Sequence, residues 1–181
     1  ELTVGLDFNP LLVGIADRVS HGEEIELWEF PIAPRLAKDH AVLQKFDAEA
    51  ARPGLEFVLG DVLRAPFIKG SFDTVITPWL VDILPVDFGE LAARINRLLA
   101  KDGQWLNFGS LAFDGPEEHR RYTLEECIAL LGRNGFDNPG KRTDQVPYMC
   151  SPASRHGRRE EVVTFATRKR KSVKSPTQHQ S

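Results

Sequence analysis

Short apolar strand patterns alternate with helix patterns along most of the chain, and this alternation constrains the fold more than any other feature. The strand patterns are LTVGLD (2–7), LEFVLGD (55–61), FDTVIT (72–77) and QWLNFG (104–109). Alternating strands and helices are typical of a parallel sheet that is covered by helices on both faces. The sequence therefore predicts an α/β fold with a doubly wound, mostly parallel sheet.

Helix boundaries are marked by capping residues. Asn9 is a good N-cap, and Pro10 suits the first helical position of the segment that follows the first strand. A second helix is predicted from Asp87 to about Ala100 because its leucines and isoleucine recur on one face. The segment TLEE (123–126) is a capping box, and it opens a third helix that Gly135 ends.

The 181 residues are enough for one domain with a sizeable core. Residues 20–54 contain proline breaks and are predicted to be irregular, whereas EEVVTFAT (160–167) is predicted to be the last strand. We predict one domain over residues 1–169 and a basic, disordered tail over residues 170–181. Because the chain opens directly on a strand pattern, we expect an upstream part of the domain, with its first strand and glycine-rich loop, to be missing.

Composition narrows the function classes. The net charge of −3 gives no sign of a nucleic-acid or membrane surface, and no apolar run reaches the roughly eighteen residues of a membrane span. The histidines and the two cysteines lack metal-ligand spacing, so no metal is predicted. Few cysteines favour a reduced compartment, and we expect a cytoplasmic protein. The run RKRK (168–171) leaves a nuclear address or a nucleic-acid contact as the alternative to a solvated terminus.

Acidic residues close two of the predicted strands, at Asp7 and Asp61. The carboxyl ends of the strands form the ligand crevice of a doubly wound sheet, and an acid there typically binds a ribose hydroxyl. An acid at the end of the next strand can reach an adenine amino group. The alternative is that both acids only cap the helices that follow them. The pair favours an adenosine-containing cofactor, either a nicotinamide dinucleotide or S-adenosylmethionine.

Several motifs occur in the order and spacing of one enzyme family. They are GLDFNP (5–10), LWEFPI (27–32), Gly60-Asp61, FDTVITPWLVD (72–82), INRLLAKDGQWLNFGSL (95–111), YTLEE (122–126) and VVTFATRK (162–169). On these motifs the chain resembles the carnosine N-methyltransferase family, a branch of the class I S-adenosylmethionine-dependent methyltransferases. The resemblance implies a Rossmann-like fold, S-adenosyl-L-methionine as cofactor, and methyl transfer to a small imidazole-containing acceptor.

The resemblance also implies two sets of site residues. The cofactor-binding set is Asp7, Phe8, Asp61, Val62, Thr77 and Pro78. The candidate catalytic set, on the acceptor side, is Trp79, Asp82, Phe113 and Tyr148. Asp82 would orient the acceptor ring or take its proton after transfer. The alternative is that Trp79 belongs to the core and that Asp82 caps the helix beginning near Asp87.

Arg158 and Arg159 stand where the family has tyrosines. They imply an acceptor with a carboxylate or phosphate at its far end, because guanidinium groups pair with such anions bidentately. The alternative is that both arginines are solvated at the start of a strand. Two other functions stay open: methylation of a protein or an RNA, with the basic tail as a docking arm, and a catalytically silent binding protein with a methyltransferase fold.

Overall fold

The computed structural model describes residues 2–50, 53–113 and 120–170 of the chain. The chain divides into two compact units, and each is described by itself. The first unit comprises residues 1–66 and 148–158, and the second comprises residues 67–147 and 159–181. None of the helices in the described ranges has the length and apolar character needed to cross a membrane.

The first unit contains a parallel strand pair and a separate hairpin. Its elements are β1 (Thr3–Asp7), α1 (Pro10–Ser20), β2 (Ile25–Glu29), β3 (Val42–Phe46) and β4 (Leu55–Leu59). β1 pairs with β4 in parallel, and β2 pairs with β3 in antiparallel orientation. Asn9 caps α1 as predicted, because its side chain accepts a hydrogen bond from the Leu11 N–H.

The prediction that residues 20–54 are irregular is wrong, because this region contains the β2–β3 hairpin. Pro31 and Pro34 fall in the connection between the two strands and not within either strand, so they do not interrupt the ladder. The same connection is held by the later segment of this unit. The Arg155 N–H donates to the Ala33 carbonyl at 2.7 Å, and the Arg35 N–H donates to the Ala153 carbonyl at 2.9 Å.

The second unit contains a four-stranded sheet with the order β5-β6-β8-β7. Its elements are β5 (Phe72–Pro78), α2 (Phe88–Leu98), β6 (Leu99–Gly109), α3 (Leu124–Arg133), β7 (Gly140–Tyr148) and β8 (Arg158–Arg168). β5 and β6 are parallel, and β6 and β8 are antiparallel. The helices α2 and α3 carry the apolar side chains that pack with the sheet around the fully buried Trp105.

The two predicted helix starts of this unit are confirmed. Asp87 is the N-cap of α2 and accepts from the N–H groups of Gly89 and Glu90, and Thr123 opens α3 with the predicted capping box. α2 ends at Leu98, two residues before the predicted end, because β6 begins directly at Leu99. The strand β7 was not predicted, since its sequence GKRTDQVPY is polar and it lies at the edge of the sheet.

The basic run after β8 is partly built into the domain. The Lys169 ammonium donates to the carbonyls of Asn96 and Leu99 at 2.7 and 2.8 Å, at the end of α2. The Arg170 guanidinium donates to the Gly132 carbonyl at 2.9 Å, near the end of α3. Cations at these positions satisfy the open carbonyl groups of a helix C-terminus. Arg170 therefore contacts α3, and the rest of the predicted tail lies outside the described residues.

Candidate functional site

The two predicted acids of the first unit lie at the same edge of one strand pair. Asp7 is the last residue of β1, and Asp61 follows the end of the neighbouring parallel strand β4. The Gly60 N–H donates to the Asp7 carbonyl at 2.9 Å, which joins the two strand ends. Both side chains are exposed. The prediction that these two carboxylates lie at the ends of strands in one sheet is therefore confirmed.

Each of these carboxylates uses only one oxygen within the chain. Asp7 Oδ1 accepts from the Asn9 N–H at 2.8 Å, and Asp61 Oδ1 accepts from the Leu63 N–H at 2.8 Å. The capping alternative is therefore correct for one oxygen of Asp61, which is the N-cap of the 3₁₀ turn that follows it. It is wrong for Asp7, because Asn9 caps α1 and Asp7 only accepts from the N–H of that cap. The Oδ2 atoms make no hydrogen bond to the parts of the chain that the structure describes, so they remain available to accept hydrogen bonds from a ligand.

An apolar residue follows each acid. Phe8 is 78% exposed, which is unusual for a large aromatic side chain, and Val62 is half-buried at the start of a short 3₁₀ turn over Val62–Arg64. An exposed ring beside a carboxylate offers an apolar surface next to a hydrogen-bond acceptor. This combination fits an adenosine group, which has flat apolar faces and polar edges.

Thr77 does not occupy the position predicted for it beside a cofactor. Its side chain is 3% exposed and lies in the core of the second unit. Its hydroxyl accepts a hydrogen bond from Trp105 Nε1 at 2.9 Å and bonds to Asn107 Oδ1 at 2.9 Å. Because these bonds fix the hydroxyl on the core side of β5, Thr77 stabilises the strand end instead. Pro78, the next residue, is exposed, as alternation along a strand requires.

Trp79 is not a core residue, so that alternative is wrong. It is half-buried and lies outside the buried cluster. Its φ of +49° places a bulky residue in the left-handed region, a conformation that is uncommon and is concentrated at functional sites. Its N–H donates to the Phe108 carbonyl at 2.8 Å, and the two rings meet edge to face with centroids 6.1 Å apart.

The resemblance implied that Phe113 lines an open pocket. In the structure, Phe113 packs in the core instead. The side chain is 8% exposed and contacts the rings of Phe88 and Tyr122 at centroid distances of 6.2 and 5.3 Å. Without a hydroxyl its ring has no polar group to satisfy, so it can be buried completely. Like Trp79, it has a positive φ, of 44°.

Asp82 connects the loops that follow the parallel strands β5 and β6. It lies in a 3₁₀ turn over Val81–Ile83, and its Oδ2 accepts from the Ala112 N–H at a long 3.4 Å. The alternative in which Asp82 caps α2 is wrong, because Asp87 is that cap. Asp82 is half-buried, so its carboxylate is available to a ligand at the carboxyl end of β5.

A hydrogen bond between Tyr122 and Asp87 was not predicted from the sequence. The Tyr122 hydroxyl donates a short hydrogen bond to Asp87 Oδ2. This bond is the main cause of the lowered pKa of the Asp87 carboxyl. Burial and the same partner raise the pKa of Tyr122 to about 12. The tyrosine of YTLEE was the available signal, but its partner lies 35 residues earlier and no local pattern connects them.

Tyr148 and Arg158 belong to the first unit, whereas Trp79, Asp82 and Phe113 belong to the second. The Arg158 guanidinium carbon lies 4.9 Å from the centre of the Tyr148 ring, which is a cation–π contact. Arg159 belongs to the second unit, and its guanidinium donates to the Gln145 carbonyl at 3.0 Å. Arg159 is therefore engaged in part with β7. Within the described ranges, no cluster of three metal-ligating side chains occurs.

Residues 35–106 match a family described as a methyltransferase domain. The structure is similar to that of a SAM-dependent methyltransferase from Methanosarcina mazei, with a TM-score of 0.60, 12% identity, and coverage of 92% of this chain and 81% of that chain. It is also similar to the YcgJ protein from Bacillus subtilis, with a TM-score of 0.62, 14% identity, and coverage of 94% and 83%. The chain has a class I methyltransferase fold. No curated protein matches this chain.

These comparisons confirm the predicted Rossmann-like fold class. The match over residues 35–106 supports a methyltransferase as the enzyme class, and together with the structural likeness to a SAM-dependent methyltransferase it supports S-adenosyl-L-methionine as the cofactor. The residues present fit the adenosine part of that cofactor, because two carboxylate oxygens and an exposed phenyl ring meet at one sheet edge. The description of the matching family names neither the carnosine N-methyltransferase branch nor a methyl acceptor.

Proposed function

We propose that the protein is an N-methyltransferase that methylates a small, imidazole-containing acceptor with S-adenosyl-L-methionine. The observation that carries its cofactor part is the pair Asp7 and Asp61, which lie at adjacent strand ends and whose Oδ2 atoms accept no hydrogen bond from the described residues. It is supported by the family match over residues 35–106 and by the resemblance of the motifs to carnosine N-methyltransferases.

On the cofactor side, Asp7 accepts hydrogen bonds from the ribose hydroxyls and Asp61 accepts one from the adenine amino group. Phe8 and Val62 cover the apolar faces of the base. When bound, the cofactor supplies an electrophilic methyl group on a sulfonium sulfur. The protein's own task is to hold the acceptor in line with that group, which lowers the barrier through orientation.

On the acceptor side, Asp82 and Trp79 perform the orientation. A neutral imidazole nitrogen already has a lone pair and needs no strong base to attack. Asp82 accepts a hydrogen bond from the other ring N–H, which turns the unprotonated nitrogen towards the methyl group. Methyl transfer would leave a positively charged ring, and Asp82 would then accept the proton that this N–H releases, giving the neutral N-methyl product. Trp79 covers one face of the ring, since its indole is only half-buried at the same strand end.

Arg158 is proposed to bind an anionic group at the far end of the acceptor. Arg158 is exposed, and its guanidinium carbon lies 4.9 Å from the centre of the Tyr148 ring. A guanidinium pairs with a carboxylate or a phosphate bidentately. Tyr148 contributes by orienting that guanidinium. Arg159 has a smaller part, because it already donates to a β7 carbonyl.

The test is a methyl-transfer assay with the full-length protein and three classes of acceptor: carnosine and related histidine dipeptides, a protein extract, and RNA. We expect S-adenosylhomocysteine to form with the histidine dipeptides. If S-adenosylhomocysteine forms only with the protein extract or with RNA, the result favours methylation of a protein or an RNA. If calorimetry shows no binding of S-adenosylmethionine at all, the result favours a catalytically silent binding protein with a methyltransferase fold.

A further inference from the structure

The ends of β5 and β6 approach each other more closely than side chains ordinarily allow. A Cβ atom placed on Gly109 would lie 2.8 Å from the Trp79 backbone nitrogen and 2.9 Å from its Cα. Real Cβ atoms essentially never come within 3.0 Å of another heavy atom, and both neighbours here are backbone atoms. Position 109 therefore favours glycine for two reasons: a Cβ atom there would clash with the Trp79 backbone, and its φ of +158° is one that other residues rarely adopt.

Trp79 depends on this close approach for its conformation. Its left-handed φ of +49° is disfavoured for a large side chain, so it has to be held by its surroundings. Phe108 supplies two contacts: its carbonyl accepts the Trp79 N–H at 2.8 Å, and its ring meets the indole edge to face. Because Gly109 has no side chain, the Trp79 backbone can come close enough to form that hydrogen bond.

The preceding part of β5 cannot move to relieve a clash at position 109. Thr77 is fixed by its bonds to Trp105 Nε1 and Asn107 Oδ1, and Asn107 is fixed in turn by a bond to the Val163 carbonyl at 3.1 Å. All three of these polar side chains lie in the buried part of the second unit. A side chain at position 109 would therefore displace Trp79 rather than the strand behind it.

We propose that Gly109 is a positioning residue that sets the direction of the Trp79 indole and, through it, the placement of the methyl acceptor. The effect on the acceptor rests on the proposed function. The effect on Trp79 does not, because it follows from the two strand ends alone.

The experiment compares Gly109→Ala with Gly140→Ala in the full-length protein. Gly140 is a matched control, since a Cβ atom there meets nothing within 4 Å. Iodide quenching reports the exposure of Trp79, whose signal is identified as the part of the fluorescence that Trp79→Phe removes. We expect Gly109→Ala to change the quenching of Trp79 and Gly140→Ala to leave it as in the wild type.

Kinetics with carnosine as the probe acceptor test the second step. We expect Gly109→Ala to lower kcat/KM about ten- to a hundredfold, since displacements of about 1 Å have effects of this size. The dissociation constant for S-adenosylhomocysteine should stay unchanged. In a Trp79→Ala background, Gly109→Ala should lower kcat/KM no further, because the residue through which it acts has been removed.

Unchanged quenching of Trp79 in a folded Gly109→Ala protein would overturn the inference, as would a full further loss in the Trp79→Ala background. If Gly109→Ala does not fold, Phe108→Leu replaces it, because the Phe108 side chain is 40% exposed and its loss spares the core. It should alter Trp79 quenching through the lost ring contact, and no alteration would count against the inference. An inactive wild type contradicts the proposed function, while the quenching result still decides whether Gly109 positions Trp79.

Discussion

Replacement of Asp7 by alanine should weaken S-adenosylmethionine binding in the full-length protein about ten- to a hundredfold, or somewhat more. The structure provides the basis for this magnitude. Asp7 Oδ1 is used by the Asn9 N–H, so the ligand gains only the hydrogen bonds that Oδ2 can accept. A charge-assisted hydrogen bond contributes about 1.5–3 kcal/mol, which corresponds to this loss in affinity.

Calorimetric titration with the cofactor measures the effect, and two further variants separate its causes. Asp7→Asn keeps an oxygen for the Asn9 N–H and replaces Oδ2 by an NH2 group, which can still donate to a ribose hydroxyl oxygen, so it should lose less affinity than Asp7→Ala. Asp39→Ala is the matched control, because the Asp39 carboxylate also accepts from a nearby backbone N–H in the first unit, that of Leu36, at 2.9 Å. It should leave the affinity unchanged. An unaltered dissociation constant for a folded Asp7→Ala protein would refute the ribose assignment.

Three further substitutions test the other proposed contacts. Asp61→Ala should weaken cofactor binding less than Asp7→Ala in the same titration, because water replaces a single adenine contact more easily; an equal or larger loss would reverse the two assignments. Asp82→Asn should lower kcat without changing cofactor affinity in steady-state kinetics, and full activity on every acceptor would remove Asp82 from the site. Arg158→Ala should raise KM for an anionic acceptor more than it lowers kcat, and equal KM values for acceptors with and without the anion would contradict this role.

Local patterns were sufficient to predict most of the elements that form the site. The helix starts at Asn9, Asp87 and Thr123 are confirmed because an N-cap needs only a few neighbouring residues to act. The two strand-end acids were found for a similar reason, since parallel strands bring their carboxyl ends to one edge. The hairpin in residues 20–54 was missed because proline signals a break without showing that it lies between two strands.

Side-chain direction and long-range pairing could not be predicted in the same way. Whether Thr77 faces the core or a ligand depends on the register of β5 against β6, which places its hydroxyl beside Trp105. The burial of Phe113 depends on α2 and α3 covering it. The hydrogen bond from Lys169 to the Leu99 carbonyl at the end of α2 connects residues about seventy positions apart. The composition of the basic run suggested only that it is solvated.

Incubating the full-length protein with carnosine and cofactor labelled with ¹³C in the methyl group, and following the product by NMR, shows whether the methyl group moves from S-adenosyl-L-methionine to an imidazole nitrogen. We expect a single labelled N-methyl resonance on the imidazole ring, formed together with S-adenosylhomocysteine. Label that stays entirely in the cofactor, or that appears only in protein or RNA added to the same mixture, would contradict the proposed function.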